Sequence, residues 1–443
     1  TWRVTICYPL VLFVFACCSA CGRHSKFKPT PASTAAGSGD VSAASGNEST
    51  VMAVRFLEDR VKDDPDDLVA LNKLSVYYLQ LHKTTEDLKY LELALRSAQA
   101  SLGVLPIDQN LGGLQALAQV EFETHNFIAA RDHAKDLTEY QPHKTLGYQL
   151  LGDALLELGE YDQAETAYRQ LEKLVPLAVT TESRLAHLAL LRGDLATAKR
   201  RYSFALEQAK NSSIPSPEMI AWCSLQIGEL SFTNGDYEVA ERYYREALSV
   251  LDGYPHALTS LARVRAARGD LKLAIELYER AVQKQMEPMT AAALGDLYEV
   301  VGRDSEAAQM YRHVERLSEL NKLNSFLYNR QLVWFWANHN QRSQDAYSRA
   351  EKEYKVRRDV YGADALAWSA LKAGKIAEAG VAMNEALRLG TREPTFFYHA
   401  GMIAMAAGDD QKARDYLRKA IEMSPQFDPL QASIAKKVLE SSN

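Results

Sequence analysis

Tyr148-Gln149-Leu150-Leu151-Gly152-Asp153-Ala154-Leu155-Leu156-Glu157-Leu158-Gly159-Glu160-Tyr161-Asp162-Gln163-Ala164-Glu165-Thr166-Ala167-Tyr168-Arg169-Gln170-Leu171 is the stretch from which the fold can be read. Tyr148, Leu151, Gly152 and Leu155 fall at i, i+3, i+4 and i+7, so they lie on one stripe of a helix. Ala164, Tyr168 and Leu171 repeat the pattern at i, i+4 and i+7 on a second helix. Gly159 lies between them as the residue that takes positive φ past a helix C-terminus, and Glu160 places negative charge near the next N-terminus. The unit is a helical hairpin. Gly152 and Ala164 stand where the paired helices approach, and Tyr168 is expected to fill the gap beside them.

The hairpin recurs. Glycines at 159, 193, 235, 269, 302, 374 and 408 are separated by 34, 42, 34, 33, 72 and 34 residues. The 42 is one period plus an eight-residue insertion, and the 72 holds one divergent unit. In step run Ala198, Ala240, Ala274, Ala307, Ala379 and Ala413, and four positions later Tyr202, Tyr244, Tyr278, Tyr311, Met383 and Leu417. A lone hairpin leaves one apolar face bare, so such units are stable only when stacked. The order Tyr148-x2-Leu151-Gly152-x2-Leu155, Gly159, Tyr161, Ala164-x3-Tyr168, Pro176 resembles the tetratricopeptide repeat (TPR). The resemblance implies an all-α fold, a right-handed α-solenoid of about ten TPR-like hairpins. A capping helix is expected after Pro429, over Leu430 to Leu439.

Composition agrees with an all-helical chain. Alanine, leucine, glutamate, arginine and tyrosine dominate the 443 residues, and β-branched runs are scarce. The formal charge of −6 offers no basic stripe for nucleic acid. Ten histidines are scattered without a metal-ligand spacing, and no Walker loop, Gly-x-Ser-x-Gly elbow or Gly-x-Gly-x-x-Gly occurs. No cofactor is implied, and an enzyme would need a site of unrecognised kind.

The ends carry other signals. Arg3 followed by an apolar run from Leu10 to Ala16 and the small residues Ser19-Ala20-Cys21-Gly22 reads as a signal peptide over 1–21. Its end resembles the lipobox of bacterial lipoproteins, with Cys21 as the acylated residue, although Cys18 replaces the usual leucine. Cys17 is a second candidate. That resemblance implies an exported, lipid-anchored protein. Residues 22–50, rich in Ser, Ala, Thr, Gly and Pro, read as a disordered tether. Arg23, His24, Lys26 and Lys28 could touch anionic headgroups or simply aid solubility. The solenoid is expected over 51–443.

Within it, Leu71, Leu74, Ser75 and Tyr78 set a first helix whose partner arrives late, around Ala94 to Ser101. The following unit carries His125 at its hairpin position. Lys210 to Pro217 must be a surface loop, and its Asn211-Ser212-Ser213 also matches a glycosylation sequon. Cys223 stands alone inside a helix. The divergent unit spans about 315–358 and contains Leu332-Val333-Trp334-Phe335-Trp336. Trp334 and Trp336 point roughly opposite ways on a helix, so at least one is expected to face a groove or loop unless the helix is over-packed and shielded.

In TPR proteins the first helices of stacked hairpins line a groove through positions 2, 5, 9 and 12. Position 9 gives Asp153, His187, Glu229, Arg263, Asp296, Trp368 and Met402, an acidic and polar half followed by an apolar one. An extended peptide or a partner helix would fit. The Lys and Asn pattern that clamps chaperone C-termini is absent from the four units read for it. The expected function is a protein-interaction scaffold at the cell envelope, or a dedicated assembly or export accessory of a secretion or polysaccharide system. On this assignment Tyr168→Ala destabilises by roughly 3–5 kcal/mol, whereas a change at Asp153 leaves stability nearly untouched.

Overall fold

The computed structural model describes residues 40–85, 87–320 and 329–441, and among them every regular element is a helix. Cys17, Cys21, the signal segment and the tether up to residue 39 lie outside the described residues. The helices fall into two compact units, one within 40–142 and one over 143–441.

The N-terminal unit holds α1 (Asp40–Asp63), α2 (Leu68–Thr85), α3 (Lys89–Val104), α4 (Leu111–Glu123) and α5 (Phe127–Tyr140). Helix α1 starts eleven residues before the Val51 at which folding was expected, in a segment whose Ala43, Ala44 and Glu48 suit a helix. A polar knot ties α2, α3 and α4. Asn110 caps α4 by accepting from Gly113 N at 2.9 Å, and its amide nitrogen donates to Ser101 O and Oγ. Asn72 Nδ2 donates to Asn110 Oδ1 at 3.1 Å, while Ser101 Oγ donates to Asn72 Oδ1 at 2.6 Å. His125 takes the hairpin position with φ of 60° and stacks on Phe127.

The C-terminal unit runs through α6 (Thr145–Glu157), α7 (Tyr161–Leu174), α8 (Val179–Leu191), α9 (Leu195–Lys210), α10 (Pro217–Thr233), α11 (Tyr237–Val250), α12 (Pro255–Ala267), α13 (Leu271–Lys284), α14 (Pro288–Val300) and α15 (Asp304–Leu320). It continues through α16 (Asn329–Asn338), α17 (Ser343–Tyr354), α18 (Val360–Lys372), α19 (Ile376–Ala386), α20 (Pro394–Ala406), α21 (Asp410–Met423) and the cap α22 (Gln431–Glu440). The expected small-residue contacts are present. A Cβ on Gly152 would stand 2.3 Å from Tyr168 Cε1, one on Gly228 2.4 Å from Tyr244, and one on Gly295 2.5 Å from Tyr311. No methyl fits where the tyrosine ring already rests, which is why glycine recurs there.

This unit closes on itself across about 190–200 residues of sequence. Arg357, just before α18, pairs with Glu157 at the end of α6. Thr391 Oγ1 donates to Leu191 O, Ser424 Oγ donates to Phe232 O at 3.1 Å, and Val360 N donates to the Tyr161 hydroxyl at 2.9 Å. The connections entering α18, α20 and α22 thus seat on the hairpin turns that follow α6, α8 and α10. Between these seams one apolar cluster joins Leu155, Leu185 and Leu188 to Val360, Ala363, Phe396 and Ala400.

The divergent unit is a hairpin of α16 and α17, and both tryptophans are buried. Trp334 sits in the apolar core, while Trp336 donates from Nε1 to Glu315 Oε1 at 2.7 Å and carries Arg349 and Arg342 over its ring. Neither faces a groove, because α16 is wrapped on all sides and Leu332 to Ala337 are each buried.

Candidate functional site

The seven position-9 residues do not line an open wall in this unit. Asp153, His187, Glu229, Arg263, Asp296 and Trp368 are buried, and Met402 is half-buried. One reason is the apolar filling by α18 and α20. The other is pairing between successive units, which turns the mixed charges of the row into an internal ladder. Arg184 grips Asp153 with both carboxylate oxygens, Nε to Oδ1 at 2.8 Å and Nη2 to Oδ2 at 2.7 Å, and the Tyr168 hydroxyl donates to Oδ1 at 2.9 Å. Arg263 donates to Glu229 at 2.8 Å beside Ser260 and Tyr244. His339 Nε2 meets Asp296 at 2.8 Å, and His399 stacks on Trp368 at 4.1 Å while its Nδ1 meets Asp364 at 2.7 Å. Position 9 is therefore structural here. Asp153 in particular is 3% exposed and carries three charge-assisted bonds, so its removal cannot be harmless as the sequence pattern suggested.

His187 is the exception within the ladder. Burial drives its pKa down to about 4, and its Nδ1 has no hydrogen-bond partner. Beside it lies a buried ionic knot of Glu157, Arg357, Glu353, Arg330 and Asp359, with Arg330 bidentate on Asp359 at 2.7 and 3.0 Å. Burial raises the Glu157 pKa, whereas Arg330 and Arg357 outweigh burial at Asp359 and lower it. The three carboxylates and two guanidiniums here pair with one another, joining α16, α17 and the start of α18, and Arg357 carries the cluster across to Glu157 on α6. Among the described residues no group of three or more His, Cys, Asp or Glu is placed to hold a metal, and no helix is long and apolar enough to cross a membrane.

The N-terminal unit differs. The repeat phase set by Leu71, Leu74, Ser75 and Tyr78 puts Val69, Asn72 and Val76 at positions 2, 5 and 9 of α2, and Gly112, Gln115 and Gln119 at the same positions of α4. Val69 is 55% exposed and Val76 47%, and with Lys73 and Gln80 they form one stripe at i, i+4, i+7 and i+11. Gln115 and Gln119 are half-buried, with Gln115 Nε2 donating to Gln141 Oε1 at 2.8 Å. Two solvent-facing valines flanked by amides and a lysine offer the apolar and hydrogen-bonding contacts that a short extended peptide uses. The irregular spacing between the helices of this first unit kept these residues out of the position-9 row, although the phase of α2 alone was enough to find them.

Profiles described as tetratricopeptide repeat match residues 68–108, 116–179, 150–202, 177–253, 225–287 and 365–426. The chain belongs to the tetratricopeptide repeat family. Among curated proteins, the TPR chain is 41% identical over 73 residues to a probable biofilm formation methyltransferase, WspC, of Pseudomonas putida, spanning 16% of each. It is 31% identical over 97 residues to the Photosystem I assembly protein Ycf3 of Prochlorococcus marinus, covering 21% of this chain and 56% of that one. The chain thus spans about a sixth of the first relative and just over half of the second. Among solved structures, the type IV pilus biogenesis factor PilW aligns at 18% identity and a TM-score of 0.38, covering 48% of this chain and 93% of that one. Human IFIT1 with PPP-AAAA aligns at 14% identity and 0.43, covering 85% and 87%. Tetratricopeptide repeats characteristically form scaffolds for protein–protein interaction.

Proposed function

We propose that this TPR protein is a non-catalytic scaffold that holds an extended peptide of a partner protein on the α2/α4 wall of its N-terminal unit, at the cell envelope. The observation that carries the site is the exposed Val69/Val76 stripe at groove positions, set against the filled interior of the C-terminal unit. What supports the location is the apolar run Leu10 to Ala16 ending in the lipobox-like Ser19-Ala20-Cys21-Gly22. The partner's own chemistry would be apolar side chains on one face of the extended segment, turned toward the valines.

Selection of a displayed random-peptide library on the full chain, with the Val69→Asp/Val76→Asp variant as counter-target, tests the site. Peptides that bind the parent at least tenfold more tightly than the variant are expected. Equal binding to both would exclude the wall. For the anchor, Cys21→Ala is expected to move the protein from the membrane to the soluble fraction, and continued sedimentation with membranes would rule Cys21 out. A dedicated assembly accessory is the narrower form of this reading, favoured by the identity with a relative named for assembly.

A further inference from the structure

The contacts that close the C-terminal unit differ in chemistry. Thr391 meets Leu191 and Ser424 meets Phe232 through hydroxyl donors and carbonyl acceptors, which carry no charge. The contact between Arg357 and Glu157 is ionic, and it belongs to the buried set completed by Glu353, Arg330 and Asp359. None of these five side chains is more than 10% exposed. Three carboxylates face two guanidiniums, so with every member ionised the set holds one negative charge in excess. An unbalanced charge at this depth is costly, and the usual relief is a proton.

Among the described residues the surroundings supply no balancing cation. Arg184 is taken up by Asp153, and Arg388 lies 5.4 Å from the Tyr161 ring and reaches Glu385 at 3.4 Å. Arg358 is exposed, 5.9 Å from the Tyr354 ring. His187 is neutral above about 4, and burial keeps the Tyr161 and Tyr168 hydroxyls protonated. The cavity that Glu157 lines with Tyr161, His187, Asp359 and Tyr361 has a volume of about 10 Å³, room for one water at most and none for a hydrated ion.

The donors decide which carboxylate holds the proton. Asp359 accepts from Arg330 Nη1 and Nη2 at 3.0 and 2.7 Å, and from Tyr361 N and Gly362 N at 2.9 and 3.0 Å, a full shell for an anion. Glu353 meets Arg330 at 2.9 Å and Arg357 at 3.2 Å. Glu157 meets Arg357 alone. Burial raises the Glu157 pKa, and at Asp359 burial is outweighed by Arg330 and Arg357, in keeping with that order. We propose that the seam between α6 and α18 closes with a proton on Glu157, which makes it a latch that slackens as the pH rises. The cavity offers that proton one atom without a partner, His187 Nδ1. A carboxyl that binds its proton more tightly in the closed form stabilises that form fully below its ordinary value of 4.5, and the benefit is lost as the pH rises through the closed-state value. The hydroxyl contacts at Leu191 and Phe232 contain no such group, so the response is confined to the α18 end of the seam.

Hydrogen exchange of the full chain, corrected for the intrinsic rate and followed from about pH 5 to about pH 9, compares residues 355–361 with residues 424–430. In the parent, opening of 355–361 is expected to grow relative to 424–430 by up to about tenfold per pH unit, the slope for release of one proton, and to level off once Glu157 is ionised. Glu157→Gln fixes the neutral form. It should hold the ratio constant and protect 355–361 at the alkaline end at least as well as the parent. The parent measurement decides by itself if the variant does not fold. A ratio that stays flat in the parent overturns the inference, and so does a Glu157→Gln chain that folds and keeps the parent's rise or loses protection at the alkaline end.

Discussion

Asp153→Ala leaves Arg184, 1% exposed, with no counter-charge, and deprives the buried Tyr168 hydroxyl of its acceptor. Breaking a buried ion pair from one side typically costs 3–5 kcal/mol, roughly, and an orphaned hydroxyl adds within that range about 1–3. We therefore expect a loss of about 3–5 kcal/mol, comparable to that of Tyr168→Ala. Replacing both charges, as Asp153→Leu with Arg184→Met, removes the orphan along with the pair and is expected to recover most of the loss. Urea denaturation followed by tryptophan fluorescence isolates the right transition. Trp222, Trp334, Trp336 and Trp368 all belong to the C-terminal unit, and residues 40–142 contain none. A loss below about 1 kcal/mol for Asp153→Ala, or a double variant as unstable as the single one, would refute the ladder as a structural device.

Three other outcomes follow from the geometry. Gly159 and Gly269 both have positive φ, but a Cβ at 159 would stand 2.3 Å from Arg358 O whereas one at 269 meets nothing; Gly159→Ala should therefore lower the melting temperature more than Gly269→Ala, and equal shifts would deny the seam. His187 has a folded pKa near 4, below its unfolded value, so its contribution is intact above about 6.5 and is lost as pH falls from there through 4, by up to about 3 kcal/mol. His187→Gln should flatten stability over that window, and an unchanged profile would contradict the assignment. Cys223 is fully buried with its thiol pushed up to about 12, so a thiol reagent should label it only at the rate of unfolding.

Sequence periodicity was enough for the hairpins because their determinants are local: a glycine that takes positive φ, an alanine or glycine at the crossing, and a tyrosine to fill it. Gly152 with Tyr168 and Gly228 with Tyr244 were readable at fixed spacing. The seam was not, since Arg357 meets Glu157 and Thr391 meets Leu191 across 200 residues, and no helical period encodes which turn a distant loop will seat upon. The same blindness misplaced the groove residues. Position 9 marks a face of each first helix, but whether that face meets solvent or the chain's own later helices is decided by closure. For Trp334 and Trp336 the shielded alternative holds, because opposite faces of α16 are both covered by neighbouring helices.

The closure of the C-terminal unit is tested most directly by hydrogen exchange in the full chain, read by mass spectrometry over residues 355–361 and 424–430. The first amides of a helix have no intrahelical acceptor. Here Val360 N donates to Tyr161 and Gln426 N to Tyr237, at 2.9 and 2.7 Å. Both segments should be protected about as long as the neighbouring helices. Exchange within seconds, as in an untethered loop, would mean that the later repeats do not seat on the earlier ones.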